Sequence, residues 1–343
     1  MKKALAVLMM IMICFGASGC GAATGEPSEK VEFFAMDTII SLTIYGEGAA
    51  DALSTFEKET MRLDRLLSAF DETSDVFKIN AAGGKAVAIS EETAQLIHRA
   101  KDASRFTDGA FDITIAPVVS AWGFGESSQN VPAQSEMEVL LEKVGYENID
   151  IGGGNVTLSN GASIDLGAIA KGFAAEKLAE KLSQHGIKSA VFSLGGNVQT
   201  LGTRPDGKPW RVAIADPKSP YEYAAAVDVD GTMAVVTSGG YQRFFEQDSK
   251  KYHHIIDPKT GVPAQSGLLS VTVICKDAAL ADAFSTAFFV VGIDAALEMM
   301  ELYDEPIEAV FITEDDDLLY TAGLLGKISR VGGDYSAVLA DGE

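Results

Sequence analysis

Apolar and polar residues recur along this chain with two different periods. From 33 to 45 the pattern is short-range and β-branched, which predicts strand. Leu53, Phe56, Thr60, Leu63, Leu67 and Phe70 then recur at steps of three and four, the stripe of an amphipathic helix. Ser90 is placed to open a second helix, and Ser135-x-x-Glu138 to open a third as a capping box. Residues 148–158, interrupted by Gly152-Gly153-Gly154, predict a hairpin. Residues 165–184 predict a helix that Gly186 ends. From 190 to 275 short β-prone runs alternate with Gly, Pro and Asp turns. A helix is predicted over 277–291, and a few short elements finish near Val331. Strands and helices segregate instead of alternating strictly, so the fold class is α+β.

The N-terminus obeys a different logic. Lys2 and Lys3 precede an apolar run over 4–15, followed by Gly16-Ala17-Ser18-Gly19-Cys20. The run is too short to span a bilayer, so 1–19 reads as a secretory signal peptide. Cys20 directly after Ser-Gly resembles a bacterial lipobox, although Ala17 stands where leucine is usual. Several acyl chains, at about 0.8 kcal/mol per buried CH₂, would anchor the protein to the cell membrane on its extracytoplasmic, periplasmic face. The expected organisation is a lipidated Cys20 with a tether over 20–30, a single domain over 31–331, and a tail over 332–343.

Cysteine usage fits that picture. Cys14 leaves with the signal and Cys20 carries lipid, so Cys275 stands alone in an apolar strand pattern and no disulfide can form. The formal charge of −22 becomes more negative once Lys2 and Lys3 are removed. Such a chain should repel nucleic acid, and a polyanionic ligand would need local lysine, helix N-termini or a metal ion.

Dinucleotide-fold, P-loop, nucleophile-elbow and His-Glu-x-x-His patterns are all absent. Four other segments carry candidate chemistry. Asp165 to Gly172 sits at a strand-to-helix junction, with Asp165 as a natural N-cap and Lys171 in the second turn. Taken alone, it reads as a capped helix with a solvated lysine. Asp282 and Thr286 share one face of an otherwise apolar helix, an oxygen-only pair that suits Mg²⁺ or a hydrogen-bonded structural aspartate. Thr107 to Thr114, followed by Trp122-Gly123-Phe124-Gly125, offers either a wall for a planar ring or ordinary core packing. Finally, His253-His254 run into an Asp257-Pro258-Lys259-Thr260-Gly261 turn, which holds a proton acceptor rigidly or simply buries a histidine pair.

In combination, these segments resemble a known family. Ala35-Met36-Asp37-Thr38, Gly109-Ala110-Phe111-Asp112, Asp165 to Gly172, Leu194-Gly195-Gly196-Asn197, Thr237-Ser238-Gly239, His254-Ile255-Ile256-Asp257-Pro258 and Ala281-Asp282 follow the order of the ApbE family of flavin transferases. The resemblance covers about 33–331 and implies a tunnelling-fold (T-fold) type of core. It implies an FAD:protein FMN transferase that joins FMN from FAD to a threonine hydroxyl and releases AMP.

By the same resemblance, Met36, Phe70, Ala110, Phe111, Asp112, Asp165, Lys171 and Ile256 would contact FAD. The carbonyl of Ala168, with Asp282 and Thr286, would hold Mg²⁺, and Ser285 stands where some members have an aspartate. His254 would be the base, with His253 structural. Acceptors would be membrane redox subunits or exported flavoproteins with a Ser/Thr-Gly-Ala-Thr-like site. The alternatives are an Mg²⁺-dependent FAD pyrophosphatase giving FMN and AMP, and a non-catalytic flavin-binding lipoprotein.

Overall fold

The structure is a computed structural model that describes residues 27–124 and 129–340. Cys20, the preceding signal segment and Gly125 lie outside them. A nine-stranded sheet forms the centre. Its strands, in spatial order, are Ser28–Ala35, Thr38–Tyr45, Ser189–Leu194, Asn197–Leu201, Ala234–Gly239, Leu268–Cys275, Glu308–Thr313, Asp317–Tyr320 and Ser336–Leu339. Neighbours are antiparallel except the last pair, which is parallel. The segment after 331, expected as a tail, thus supplies an edge strand.

Eight α-helices are present among the described residues: α1 (Ala49–Leu67), α2 (Asp75–Ala81), α3 (Glu91–Phe106), α4 (Ala116–Trp122), α5 (Gln134–Leu141), α6 (Ala170–Gln184), α7 (Ala278–Val291) and α8 (Ile293–Leu302). The main core lies between one face of the sheet and α1, α3, α6 and α7, around Phe56, Leu96, Phe173, Phe284 and Phe288. A three-stranded sheet, Ile328–Arg330, Ser219–Val229 and Trp210–Asp216, covers the other face. Both faces are therefore dry, and alternate residues serve different cores. Ala234 and Val236 point to the helices and Val235 to the small sheet. Ala309 and Phe311 divide from Val310 and Ile312 in the same way. This double burial explains why the β-prone runs are almost uniformly apolar instead of alternating.

Several local expectations change. The predicted β run over 33–45 is a hairpin that turns at Met36-Asp37. The first helix ends at Leu67, so Phe70 leaves its stripe and stands in the following loop. Ser90 does cap its helix, accepting from the Thr93 N–H at 3.1 Å. Ser135 caps nothing: α5 starts at Gln134 behind Ala133, without a side-chain cap. The hairpin at 148–158 forms as Ile149–Gly152 and Asn155–Leu158 around Gly153-Gly154.

Helices α3, α6 and α7 are tied by one charged network. Arg99 donates to Glu176 at 2.5 and 3.1 Å and also to Asp277. Asp277 caps α7 through the Leu280 N–H at 2.8 Å, and Glu176 takes the Ala279 N–H at 3.0 Å. Burial and the Glu176 charge push Asp277 up to about 6, against the pull of Arg99. Nearby Cys275 is buried and its thiol is pushed up to about 12, chiefly by burial, which makes it inert.

The tightest helix contact is between α6 and α7. A Cβ on Gly172 would lie 2.0 Å from the Ala278 carbonyl oxygen. Gly172→Ala is therefore expected to cost about 3 kcal/mol or more by forcing the helices apart. Urea denaturation of wild type and variant measures it.

Candidate active site

The start of α6 differs from its sequence reading in a way that matters. The helix begins at Ala170, not Asp165, and Ile169 occupies the cap position without a side-chain bond. Asp165 instead closes a turn on itself, its Oδ1 accepting from the Gly167 N–H at 2.7 Å. Lys171 thus lies in the first helical turn, where its Nζ donates to the Gly167 carbonyl at 3.1 Å. The Gly172 N–H, one of the first-turn donors that have no partner within α6, donates to Asp282 Oδ2 at 2.9 Å. This bond ties the first turn of α6 to Asp282 on α7.

Asp282 is 3% exposed, and no cationic side chain pairs with it among the described residues. One backbone donor leaves most of this buried carboxylate's hydrogen-bonding capacity unfilled. Hydroxyls gather beside it. Ser238 Oγ lies 2.8 Å from Ser285 Oγ and 3.2 Å from Thr286 Oγ1, and Ser285 donates to the Asp282 carbonyl at 2.9 Å. Among the described residues no group of three or more His, Cys, Asp or Glu could hold a metal ion. A cation here would rely on one carboxylate, a carbonyl and hydroxyls.

His254 and His253 separate into different roles. His254 makes two contacts to one atom: its backbone N–H and its Nδ1 reach the Arg243 carbonyl at 3.0 and 3.2 Å. A carbonyl can only accept, so Nδ1 carries the proton and Nε2 is left as an acceptor. Burial first, then the Arg243 cation, pushes the imidazole down to about 3, with His253 and Lys171 adding to the effect. His253 turns into the core, its Nε2 3.1 Å from the Ala264 carbonyl and its ring edge-on to Phe289.

Arg243 has a second contact. Its guanidinium donates to Asp37 Oδ2 at 2.8 Å. Met36 and Asp37 form the two-residue turn of the first hairpin, with φ of 51° and 59°. Both angles belong to a left-handed turn that normally selects glycine or asparagine. The neighbouring hairpin turns on Gly195-Gly196, and a Cβ on Gly195 would strike Thr38 Oγ1 at 2.2 Å. The motifs around 36 and 195 thus meet at one end of the sheet.

The remaining predicted residues are distributed as follows. Phe70 is 83% exposed, an aromatic ring standing in solvent beyond α1. Ala110 and Phe111 are buried in the main core. Asp112 is committed to protein donors: Thr114 N–H and hydroxyl at 2.8 and 2.6 Å, and Tyr146 N–H at 2.8 Å. Burial raises its pKa despite them. The segment reaches the α6 loop through the Asp165 N–H, which donates to the Ile113 carbonyl at 2.8 Å. Ile256 packs in a side cluster with Trp122, Met137 and Phe245. Trp122 itself is core: it is buried, and its indole N–H donates to the Gly261 carbonyl at 2.8 Å.

A cleft of about 210 Å³ borders Asp112, Gly145, Tyr146 and Lys259. Another, of about 440 Å³, is lined by Glu176, Gln199 and Lys276 along the rest of α6, and touches none of the predicted site residues. The residues that sequence reasoning left without a role are Asp37, Arg243, Ser238 and Gly172. Asp37 and Ser238 lie within quoted motifs, and Gly172 closes another, which was the available signal.

With this geometry in place, comparison with known proteins gives one answer. The ApbE family model matches residues 36–311, and the chain belongs to the ApbE family. It is 33% identical over 310 residues to an FAD:protein FMN transferase of Klebsiella pneumoniae, covering 88% of this chain and 95% of that protein. It is 32% identical to the FAD:protein FMN transferase of Vibrio cholerae, covering 86% and 91%. The crystal structure of an ApbE protein from Thermotoga maritima matches with a TM-score of 0.79 at 31% identity, over 89% of this chain and 97% of that one. The apo flavinyl transferase ApbE of Pseudomonas stutzeri matches with 0.75 at 29% identity, over 84% and 92%.

The state of His254 carries a pH signature. Its folded value of about 3 lies below the ordinary 6.5, so the unfolded chain binds the proton more readily. The stability held in the neutral ring is complete above pH 6.5 and is lost as pH falls toward 3. His254→Gln should therefore flatten the acid side of the stability curve relative to wild type, read from urea midpoints between pH 7 and 4.

Proposed function

We propose that this chain takes FAD, transfers its FMN half to a threonine hydroxyl of an acceptor protein through a phosphoester bond, and releases AMP. One observation carries the reading: a neutral imidazole whose Nδ1–H is fixed on the Arg243 carbonyl, leaving Nε2 free to receive a proton. The threonine Oγ gives its proton to His254 Nε2 and bonds to the flavin-side phosphorus. The bond from that phosphorus to the bridging oxygen breaks, and the oxygen leaves with AMP.

Met36 at the hairpin turn, exposed Phe70, the Ala110-Phe111-Asp112 segment, Asp165 and Ile256 are the proposed FAD contacts. Lys171, in the first turn of α6, meets the pyrophosphate with a positive charge on a chain whose net charge of −22 would otherwise repel it. The donors near Asp282 suit a hard cation, since all are oxygens and the carboxylate is buried without a counterion. Held by the Ala168 carbonyl, Asp282 and Thr286, Mg²⁺ would neutralise the pyrophosphate and the charge that develops on the departing oxygen. Ser238 and Ser285 keep the Thr286 hydroxyl oriented through their mutual hydrogen bonds.

Under the same proposal Cys20 carries lipid and holds the enzyme at the extracytoplasmic face of the cell membrane. Its acceptors are membrane redox subunits or exported flavoproteins with a Ser/Thr-Gly-Ala-Thr-like site. The support for this part is the sequence 16–20 alone.

Incubation of the protein from residue 21 onward with FAD, Mg²⁺ and an acceptor should give a fluorescent flavinylated band. Free FMN without that band would establish hydrolysis instead. His254→Ala should lower transfer by about 10²- to 10⁴-fold while FAD affinity is largely kept, and equal loss of both would refute the base assignment. Asp282→Asn should abolish the gain in melting temperature that MgCl₂ gives the FAD-bound wild type. Cys20→Ser should move the full-length protein from the detergent phase to the aqueous phase in a Triton X-114 partition.

A further inference from the structure

His254 stands at the base of a projecting hairpin, and the hairpin has an unused edge. Strands Phe244–Gln247 and Lys250–His253 pair only with each other, apart from the central sheet. The two-residue turn Asp248-Ser249, with φ of 52° and 61°, closes the tip. At the base, the His254 N–H donates to the Arg243 carbonyl. Arg243 and His254 are thus a hydrogen-bonded pair, and such pairs alternate along an antiparallel ladder. Phe245–Tyr252 and Gln247–Lys250 are hydrogen-bonded in turn, while Phe244–His253 and Glu246–Lys251 are not. The backbone N–H and C=O groups of Phe244 and Glu246 consequently point away from the partner strand.

The two outer edges are not equivalent. Beyond His253, the edge of the second strand is occupied at its base. Ile256 bridges to Pro263, Ala264 N–H donates to the Ile255 carbonyl at 3.0 Å, and His253 Nε2 meets the Ala264 carbonyl. No strand covers the Phe244–Gln247 edge among the described residues. Exposed edges are normally blunted by short length, charge or proline. This strand is short and carries Glu246, yet its edge also presents Phe244, 43% exposed, with the Lys251 ammonium 3.8 Å from its ring centre. The other face of the hairpin is seated firmly, Phe245 and Tyr252 stacking near Trp122 and Phe124. The edge is therefore held rigid and leads to the residue that holds the proposed base.

We infer that the outer edge of Phe244–Gln247 is the docking site for the acceptor polypeptide. An extended acceptor segment adds as a third strand, bonding to the backbone of Phe244 and Glu246, and delivers its threonine to His254 at the base. The inference rests on the transfer reading above, which requires a protein hydroxyl at that imidazole. Backbone pairing makes affinity largely independent of acceptor sequence, while the exposed Phe244 ring offers an apolar contact to alternate side chains.

Proline tests the edge selectively. Glu246→Pro removes an outward N–H and leaves the internal ladder intact, since proline is tolerated at such edge positions. The acceptor KM should rise at least about tenfold relative to Glu246→Ala, with the KM for FAD unchanged. Equal acceptor KM values for the two variants overturn the inference.

If Glu246→Pro also loses FAD, amide exchange on the wild type decides. With FAD and an acceptor whose threonine is replaced by valine, the amides of Phe244 and Glu246 should gain protection. Unchanged exchange at both overturns the inference. A wild type that yields only free FMN would instead defeat the transfer reading, and the exchange experiment still reports whether the edge is occupied.

Discussion

A carboxylate sealed between two helices must be answered by something, and for Asp282 the answer is the backbone N–H of Gly172. That single bond requires α6 and α7 to approach so closely that a methyl group would collide with the Ala278 carbonyl. It also satisfies one of the first-turn N–H groups that have no partner within α6. Lys171 precedes Gly172 in α6 and Thr286 follows Asp282 by one turn of α7, so both flank this contact. Behind it, Arg99, Glu176 and Asp277 fix α3, α6 and α7 to one another, so the approach cannot relax by a helix sliding. The site is a consequence of how two helices cross.

The second frame is the end of the sheet. Hairpins turn there at Met36-Asp37 and at Gly195-Gly196, and strand Ala234–Gly239 finishes beside them. Two consecutive non-glycine residues with left-handed φ are costly, and contacts around the turn offset that cost. Arg243 is part of those surroundings, its guanidinium on Asp37 and its carbonyl on His254. One residue thus joins the strained turn to the imidazole, and a displacement of either is felt by the other.

Much of this was legible in the sequence. The three- and four-residue steps gave α1, and an aspartate inside the apolar run of α7 marked Asp282 as a residue needing a partner. The histidine before the Asp257-Pro258 turn stood out by its setting, and it makes two contacts to the Arg243 carbonyl. Other features were hidden for physical reasons. Asp165 has the composition of a helix cap, but its carboxylate finds a nearer donor at Gly167, and the helix starts five residues later. Ser135 matches a capping box by spacing alone and lies inside its helix. The Asp37–Arg243 pair joins residues 206 positions apart, and no local pattern encodes such a pair. The nearly continuous apolar strands concealed which face each residue serves, because both faces are buried.

The first strand of the sheet has a direction with its own meaning. The described chain joins the sheet at Ser28, where Pro27 accepts from the Gly46 N–H, and runs eight residues to the Met36-Asp37 turn. At about 3.3 Å per residue, that places the junction roughly 26 Å from the turn. A molecule held by its N-terminus is therefore held by the end remote from His254. An attachment there would leave His254 about that distance from the anchored end, on the side open to a protein partner.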